Sequence, residues 1–216
     1  MTTQEFSNNW DVKLQAYILK TGFGLANTNV QFDEYEKSVF LTEAQEEMVK
    51  ELYNNTFEGK EELREYLKEL LITKELDVKN NEVILPDNVL FIVHENVKLQ
   101  GDNICNSDAW KDVEVVKYND LNRIKDNPFR GPSENRALRL DTGKNTAQII
   151  NDNTVIKYKV TYLKEPTPIV LVDLQNEGLS IKGVNSISEC ELDPAIHGIM
   201  LDTAIKMAIQ SRAIIK

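Results

Sequence analysis

DPAIHGIMLDTAIKMAIQSRAIIK, residues 193–216, reads as one continuous helix whose apolar residues spread well beyond the usual single stripe. Asp193 is placed to cap its first turn, and Pro194 at the first helical position loses nothing by lacking an N–H. Ile196, Ile199, Met200, Thr203 and Met207 form one row, and Leu201, Ala204, Ile205, Ala208 and Ile209 widen it. The polar remainder is a narrow line of Gly198, Asp202, Lys206 and Gln210. A helix this apolar needs cover on most sides: in a 216-residue chain a sheet can cover one side and a neighbouring subunit the other, and the plainer alternative is a core helix of a single domain.

Upstream, the front third is helical. Thr2 and Glu5 stand at capping-box spacing, and Phe6, Trp10, Leu14, Tyr17 and Ile18 follow at helical intervals. The stretch TGFGLANTNVQ, residues 21–31, is a linker or ordered loop, so residues 1–31 form a helix and arm. Thr42 and Gln45 make a second capping box, with Ala44, Met48, Leu52 and Tyr53 as the buried face of the helix they start. A third helix, about 60–71, points Leu63, Tyr66, Leu67, Leu70 and Leu71 one way. Helices are therefore expected across 42–72.

From about residue 82 to 172 the pattern becomes one of short β-branched runs bounded by Asn, Asp, Gly and Pro. VIKYKVTYL alternates, with Ile156, Tyr158, Val160 and Tyr162 expected to face inward and Lys157, Lys159 and Thr161 to face water. IVLV at 169–172 reads as a further strand. Between strands, NPFRGP makes a rigid hook. Pro128 and Pro132 fix φ, Gly131 permits a tight bend, and Phe129 is offered to a pocket. The predicted class is α+β: N-terminal helices, a central, mostly antiparallel sheet, and a long C-terminal helix at 194–214 packed on it. Residues 32–216 form the body.

Composition limits the chemistry. The chain carries 35 acidic and 25 basic residues, a net charge of −10, which argues against general phosphate-backbone binding. Residues 1–80 hold sixteen acidic against nine basic side chains, and residues 111–164 hold seven against eleven. An acidic front and a mildly basic middle suit head-to-tail attraction between copies. Nothing resembles a secretory leader or a membrane span, and Cys105 and Cys190 form neither a disulfide framework nor a zinc motif. No catalytic, metal or cofactor site is predicted. His94 with Cys105 and Asp102 allows a Cys/His hydrolase on paper, and Asp87 with Glu114 and Lys117 a nuclease, but neither has supporting motifs.

Four stretches together, FDEYEKSVFLTEAQEEMVKELYN, YNDLNRIKDNPFRGP with ALRL, YKVTYLKEPTPIVL and CELDPAIHGIMLDTAIKMAI, resemble a family of virion structural proteins of crAss-like phages infecting Bacteroidetes. Their order and spacing match from about Glu5 to Ala208. The resemblance implies a non-enzymatic subunit of the head-to-tail connector, in a closed dodecameric ring stacked between portal and tail and assembled in the host cytoplasm. Its implied partners are further copies of itself, the portal protein, and adjacent ring or tail proteins. Genomic DNA would pass through the lumen without specific binding, and no membrane or cofactor is involved. Interaction candidates are Trp10, Asn127, Pro128, Phe129, Arg130, Pro132, Asp202 and Lys206. The alternatives are a phage nuclease or Cys/His hydrolase, or a monomeric acidic module that binds a host protein.

Overall fold

The computed structural model describes residues 1–21, 30–57, 61–101 and 109–213. Most of the loop expected at 21–31, together with Asp102 and Cys105, lies outside the described residues. The chain forms two compact units, one of Met1–Leu70 with Pro166–Lys216, the other of Leu71–Glu165.

The first unit is helical. Helix α1 (Thr3–Thr21) begins with the expected capping box: the Glu5 amide donates to Thr2 Oγ1 at 3.2 Å, and the Thr2 amide donates to Glu5 Oε2 at 2.8 Å. Helix α2 (Glu34–Phe57) starts eight residues earlier than the Thr42 reading placed it. Its capping box is Asp33 with Glu36, at 2.7 and 3.2 Å, and EYEKSVF forms its first two turns. A lysine braces α1 to α2. The buried Lys37 ammonium lies 2.9 Å from Glu34 and 3.0 Å from Asp11. Burial alone would lower its pKa, but hydrogen bonds to these two carboxylates outweigh that and hold it above its usual range.

Thr42 has a different task. Its hydroxyl donates to the Ser38 carbonyl at 2.8 Å and accepts from the Ile169 amide at 3.1 Å. Ser38 Oγ likewise accepts from the Leu171 amide at 3.0 Å, and Gln45 Nε2 donates to the Thr167 carbonyl at 2.8 Å. Alternate backbone groups of residues 167–171 are thus satisfied by α2 side chains, so the expected IVLV strand joins no sheet. Among the described residues it makes an isolated bridge, Val170 to Ser188. Thr42→Val is expected to leave the Ile169 N–H buried without a partner and to cost about 1–3 kcal/mol in urea unfolding. An unchanged midpoint would show that this segment is held by other means.

Helix α4 (His197–Ala213) follows one 3₁₀ turn, Pro194–Ile196, capped as expected by Asp193, whose Oδ1 accepts from the Ala195 amide at 2.8 Å. It packs against α2 and α1. The cover expected from a sheet is supplied here by helices, and they bury Met200, Leu201, Ala204, Ile205, Ala208 and Ile209. The stripe is narrower than the sequence suggested. Ile199, placed in the buried row, is 61% exposed.

The second unit is a seven-stranded sheet. Its strands are β1 (Leu71–Asp77), β2 (Glu82–Ile84), β3 (Val89–Gln100), β4 (Lys111–Val116), β5 (Arg136–Asp141), β6 (Thr146–Ile150) and β7 (Thr154–Lys164), in the order β1-β7-β3-β4-β5-β6-β2. All neighbours are antiparallel except β4 and β5. The third predicted helix is corrected to 3₁₀ turns, Glu61–Leu70, which run directly into β1 at Leu71. That strand was missed because LITKELD looks like the tail of an amphipathic helix, whereas Lys74, Glu75 and Asp77 suit an exposed sheet edge.

In β7, Tyr158, Val160 and Tyr162 are buried as expected, but Ile156 is 40% exposed. The cause is a slip in register: Lys98 pairs with Lys157 and Leu99 with Val155, so Ile156 is skipped and Val155 takes the inward place.

Candidate functional site

A parallel pair needs a crossover, and the one from β4 to β5 carries the hook. Helix α3 (Leu121–Lys125) lies in it, with Ile124 packed on Val116, Leu138 and Leu140. The hook follows at once. Asn127 Oδ1 accepts from the Phe129 and Arg130 amides at 2.8 and 3.1 Å, and its carbonyl accepts from the Gly131 amide at 2.7 Å. The Phe129 carbonyl accepts from Arg136 Nη1 at 2.9 Å, and Arg130 Nη2 donates to Glu114 at 2.5 Å. Gly131 is required by space, since an added Cβ would meet the Asn127 and Lys125 carbonyl oxygens at 2.7 Å. The outcome is a fixed loop whose tip, Phe129, is 87% exposed.

Five of the eight candidates, Asn127, Pro128, Phe129, Arg130 and Pro132, therefore come together in one hook. The other three belong to the helical unit. Asp202 and Lys206 lie one turn apart on the exposed side of α4, where Asp202 accepts from Lys13 of α1 at 2.7 Å. Trp10 is not displayed at all. It is fully buried, edge-on to Phe32 at 5.7 Å and stacked on Phe40 at 6.5 Å. An aromatic row on an amphipathic helix is spent in the core of its own unit.

One feature escaped the sequence reading. Glu95 on β3 and Arg139 on β5 are both buried and form an ion pair, with the Tyr158 hydroxyl of β7 donating to the same Glu95 oxygen. Asp141 Oδ1 lies 3.3 Å from Arg139 Nε. Burial is the larger influence on Glu95 and holds its carboxyl above the usual range, with Arg139 and Tyr158 pulling it back down. Burial and the Glu95 charge push the Tyr158 hydroxyl far up, so it remains a donor. The available signal was one ionisable residue of each sign inside the apolar strands FIVHENV and ALRLD.

Glu95 and Arg139 line a cleft. Strands β3 and β4 pair only at Asn96–Asp112 and Val97–Lys111, then diverge. The opening, about 400 Å³, is lined by Ile92, Val93, His94, Glu95, Asp112, Val113, Val115 and Arg139.

The catalytic alternatives find little geometry. His94 is exposed, its supposed partners Cys105 and Asp102 lie outside the described residues, and Glu114 is paired with Arg130 and Arg136. Asp87 accepts a hydrogen bond from Asn145. Among the described residues no group of His, Cys, Asp and Glu is placed to hold a metal ion, and no helix is long and apolar enough to cross a membrane.

Comparison with known proteins agrees with the resemblance. The family model described as phage tail ring protein 3/4 matches residues 1–215. Ring protein 3 of Bacteroides phage crAss001 is 39% identical over 230 aligned residues, covering 98% of this chain and 96% of the relative. Ring protein 4/5 of the same phage is 29% identical over 233, covering 96% and 92%.

Proposed function

This chain belongs to the phage tail ring protein 3/4 family, and we propose that it is a structural, non-catalytic subunit of a ring in the virion of a crAss-like phage. The observation that carries the reading is the near full-length match to a relative named as a ring protein, in which both compact units are included. The ring is a homo-oligomer, a dodecamer, stacked with other ring and tail proteins between portal and tail. DNA passes through its lumen. A net charge of −10 supports that last step, because an acidic wall repels phosphate and lets the duplex slide without sticking.

The purified chain is expected to form closed rings visible by negative-stain microscopy, with a mass near twelve copies. A persistent monomer at high concentration, together with absence of the protein from purified virions, would overturn the reading.

A further inference from the structure

We propose that the lysine-lined groove between α1 and α4 of one copy receives the acidic outer stripe of α2 from the next, and that this contact sets the direction in which copies repeat around the ring. The inference rests on the homo-oligomeric ring proposed above and names a contact within it.

The groove belongs wholly to the helical unit. Lys13, Tyr17 and Lys20 follow one another at helical spacing on α1 and form one wall, and Asp202, Ile205 and Lys206 of α4 form the other, around about 390 Å³. Three lysines therefore meet one aspartate. That aspartate is already held, since the Lys13 ammonium donates to the Asp202 carboxylate at 2.7 Å and to the Gly198 carbonyl at 3.1 Å. Lys20 and Lys206 are exposed and have no ion-pair partner among the described residues. The groove thus keeps a net charge of +2 inside a unit of 20 acidic and 11 basic residues.

The stripe is its counterpart. Glu43, Glu47 and Glu51 recur every fourth residue along the exposed side of α2, opposite the side that buries Leu41, Met48 and Leu52. None has an ion-pair partner among the described residues, and with Lys50 beside them they leave a net charge of −2. The lengths agree as well. At about 1.5 Å per residue the three glutamates span about 12 Å of α2, and Lys13 to Lys20 spans about 10.5 Å of the groove wall. A phosphate backbone is the poorer occupant, because the acidic surroundings of the groove repel a long polyanion more than they repel three carboxylates.

The same charges exclude the other pairings. Groove against groove and stripe against stripe both set like charges together, so a two-fold dimer through either patch is repelled and the heterologous pairing alone attracts. Within one copy, no ion pair joins stripe to groove among the described residues. Each copy therefore offers its groove to one neighbour and its stripe to the other, and such a repeat closes into a ring where the rotation allows. Exposed ion pairs are individually weak, so the contact acts through direction and register, where a reversed sign turns attraction into repulsion.

Charge reversal tests this in the full-length chain. Lys20→Glu with Lys206→Glu turns the groove acidic, and Glu43→Lys with Glu47→Lys turns the stripe basic. Either reversal alone sets like charges across every contact, and by analytical ultracentrifugation is expected to need at least about tenfold more protein than the wild type to form rings, with an unchanged melting temperature. All four substitutions in one chain restore opposite charges with the signs exchanged, and are expected to bring assembly back to within about threefold of the wild type. Rings at the wild-type concentration in either reversed chain, or a quadruple variant that assembles no better than the reversed chains, would overturn the contact while leaving the ring reading intact. Duplex DNA bound by the wild type and released by the groove reversal, with assembly unchanged, would give the groove to phosphate and overturn the contact likewise. A wild type that never assembles would overturn both.

Discussion

Trp10→Ala is expected to lower the stability of the helical unit by about 3–5 kcal/mol, among the largest single-residue losses in the molecule. The side chain has no exposed surface, and its loss opens a cavity bordered by Phe32 and Phe40, whose rings are themselves edge-to-face at 5.9 Å. Those rings are rigid and held by one another, so the space cannot collapse cheaply. Against a total stability of roughly 5–15 kcal/mol the loss is a large fraction. Urea unfolding followed by far-ultraviolet circular dichroism reads it. Trp110 remains as a fluorescent reporter of the other unit, where the Lys159 ammonium lies 4.1 Å from its ring centroid. Trp10→Phe is expected to lose less, because it keeps part of the aromatic packing. Had Trp10 been an interface anchor, alanine would weaken assembly and leave the monomer's unfolding midpoint where it was; that result would contradict the core assignment.

What the sequence made legible divides along a physical line. Local chemistry was readable: the Thr2/Glu5 box, the Asp193 cap and the Asn127–Pro132 hook all depend on groups within a few residues of one another. Periodicity carried the alternation of Tyr158, Val160 and Tyr162. It failed at Ile156, because a bulge depends on how the partner strand is registered and leaves no mark in the strand's own pattern. Residues 169–172 failed for a related reason. An apolar run reports that a segment is buried, but the donors and acceptors that satisfy its backbone, here Ser38 and Thr42, lie well over a hundred positions away. The cleft belongs to the same group, since nothing in VLFIVHENVKL or VEVVKY says where two neighbouring strands stop pairing.

Arg139→Leu is the second large effect, and it depends on pH. With Tyr158 left as the single hydrogen-bond donor among the described partners of the Glu95 carboxylate, the variant is expected to lose about 3–5 kcal/mol near neutral pH. The sign of the pH dependence follows from the direction of the shift. Burial already holds the Glu95 carboxyl above its ordinary 4.5, and removing Arg139 takes away an influence that lowers it, so the folded value rises further. Between the unfolded and folded values the fold keeps a proton that the unfolded chain has released, so stability falls as pH rises. The loss is therefore smallest below about pH 4.5, where both states are protonated, and grows as pH climbs through the folded value. Urea titrations at acid and neutral pH check this, and a penalty that is flat with pH would mean Glu95 is not isolated from water. The triple replacement Glu95→Leu, Arg139→Leu and Tyr158→Phe removes every partner at once and is expected to recover most of the stability. Arg139 on β5 reaches past β4 to Glu95 on β3, so the ion pair spans the place where the β3–β4 ladder is missing, and leucines fill that space without a charge to desolvate. A triple variant no more stable than Arg139→Leu alone would show that the penalty comes from lost packing and not from the carboxylate left without its partner.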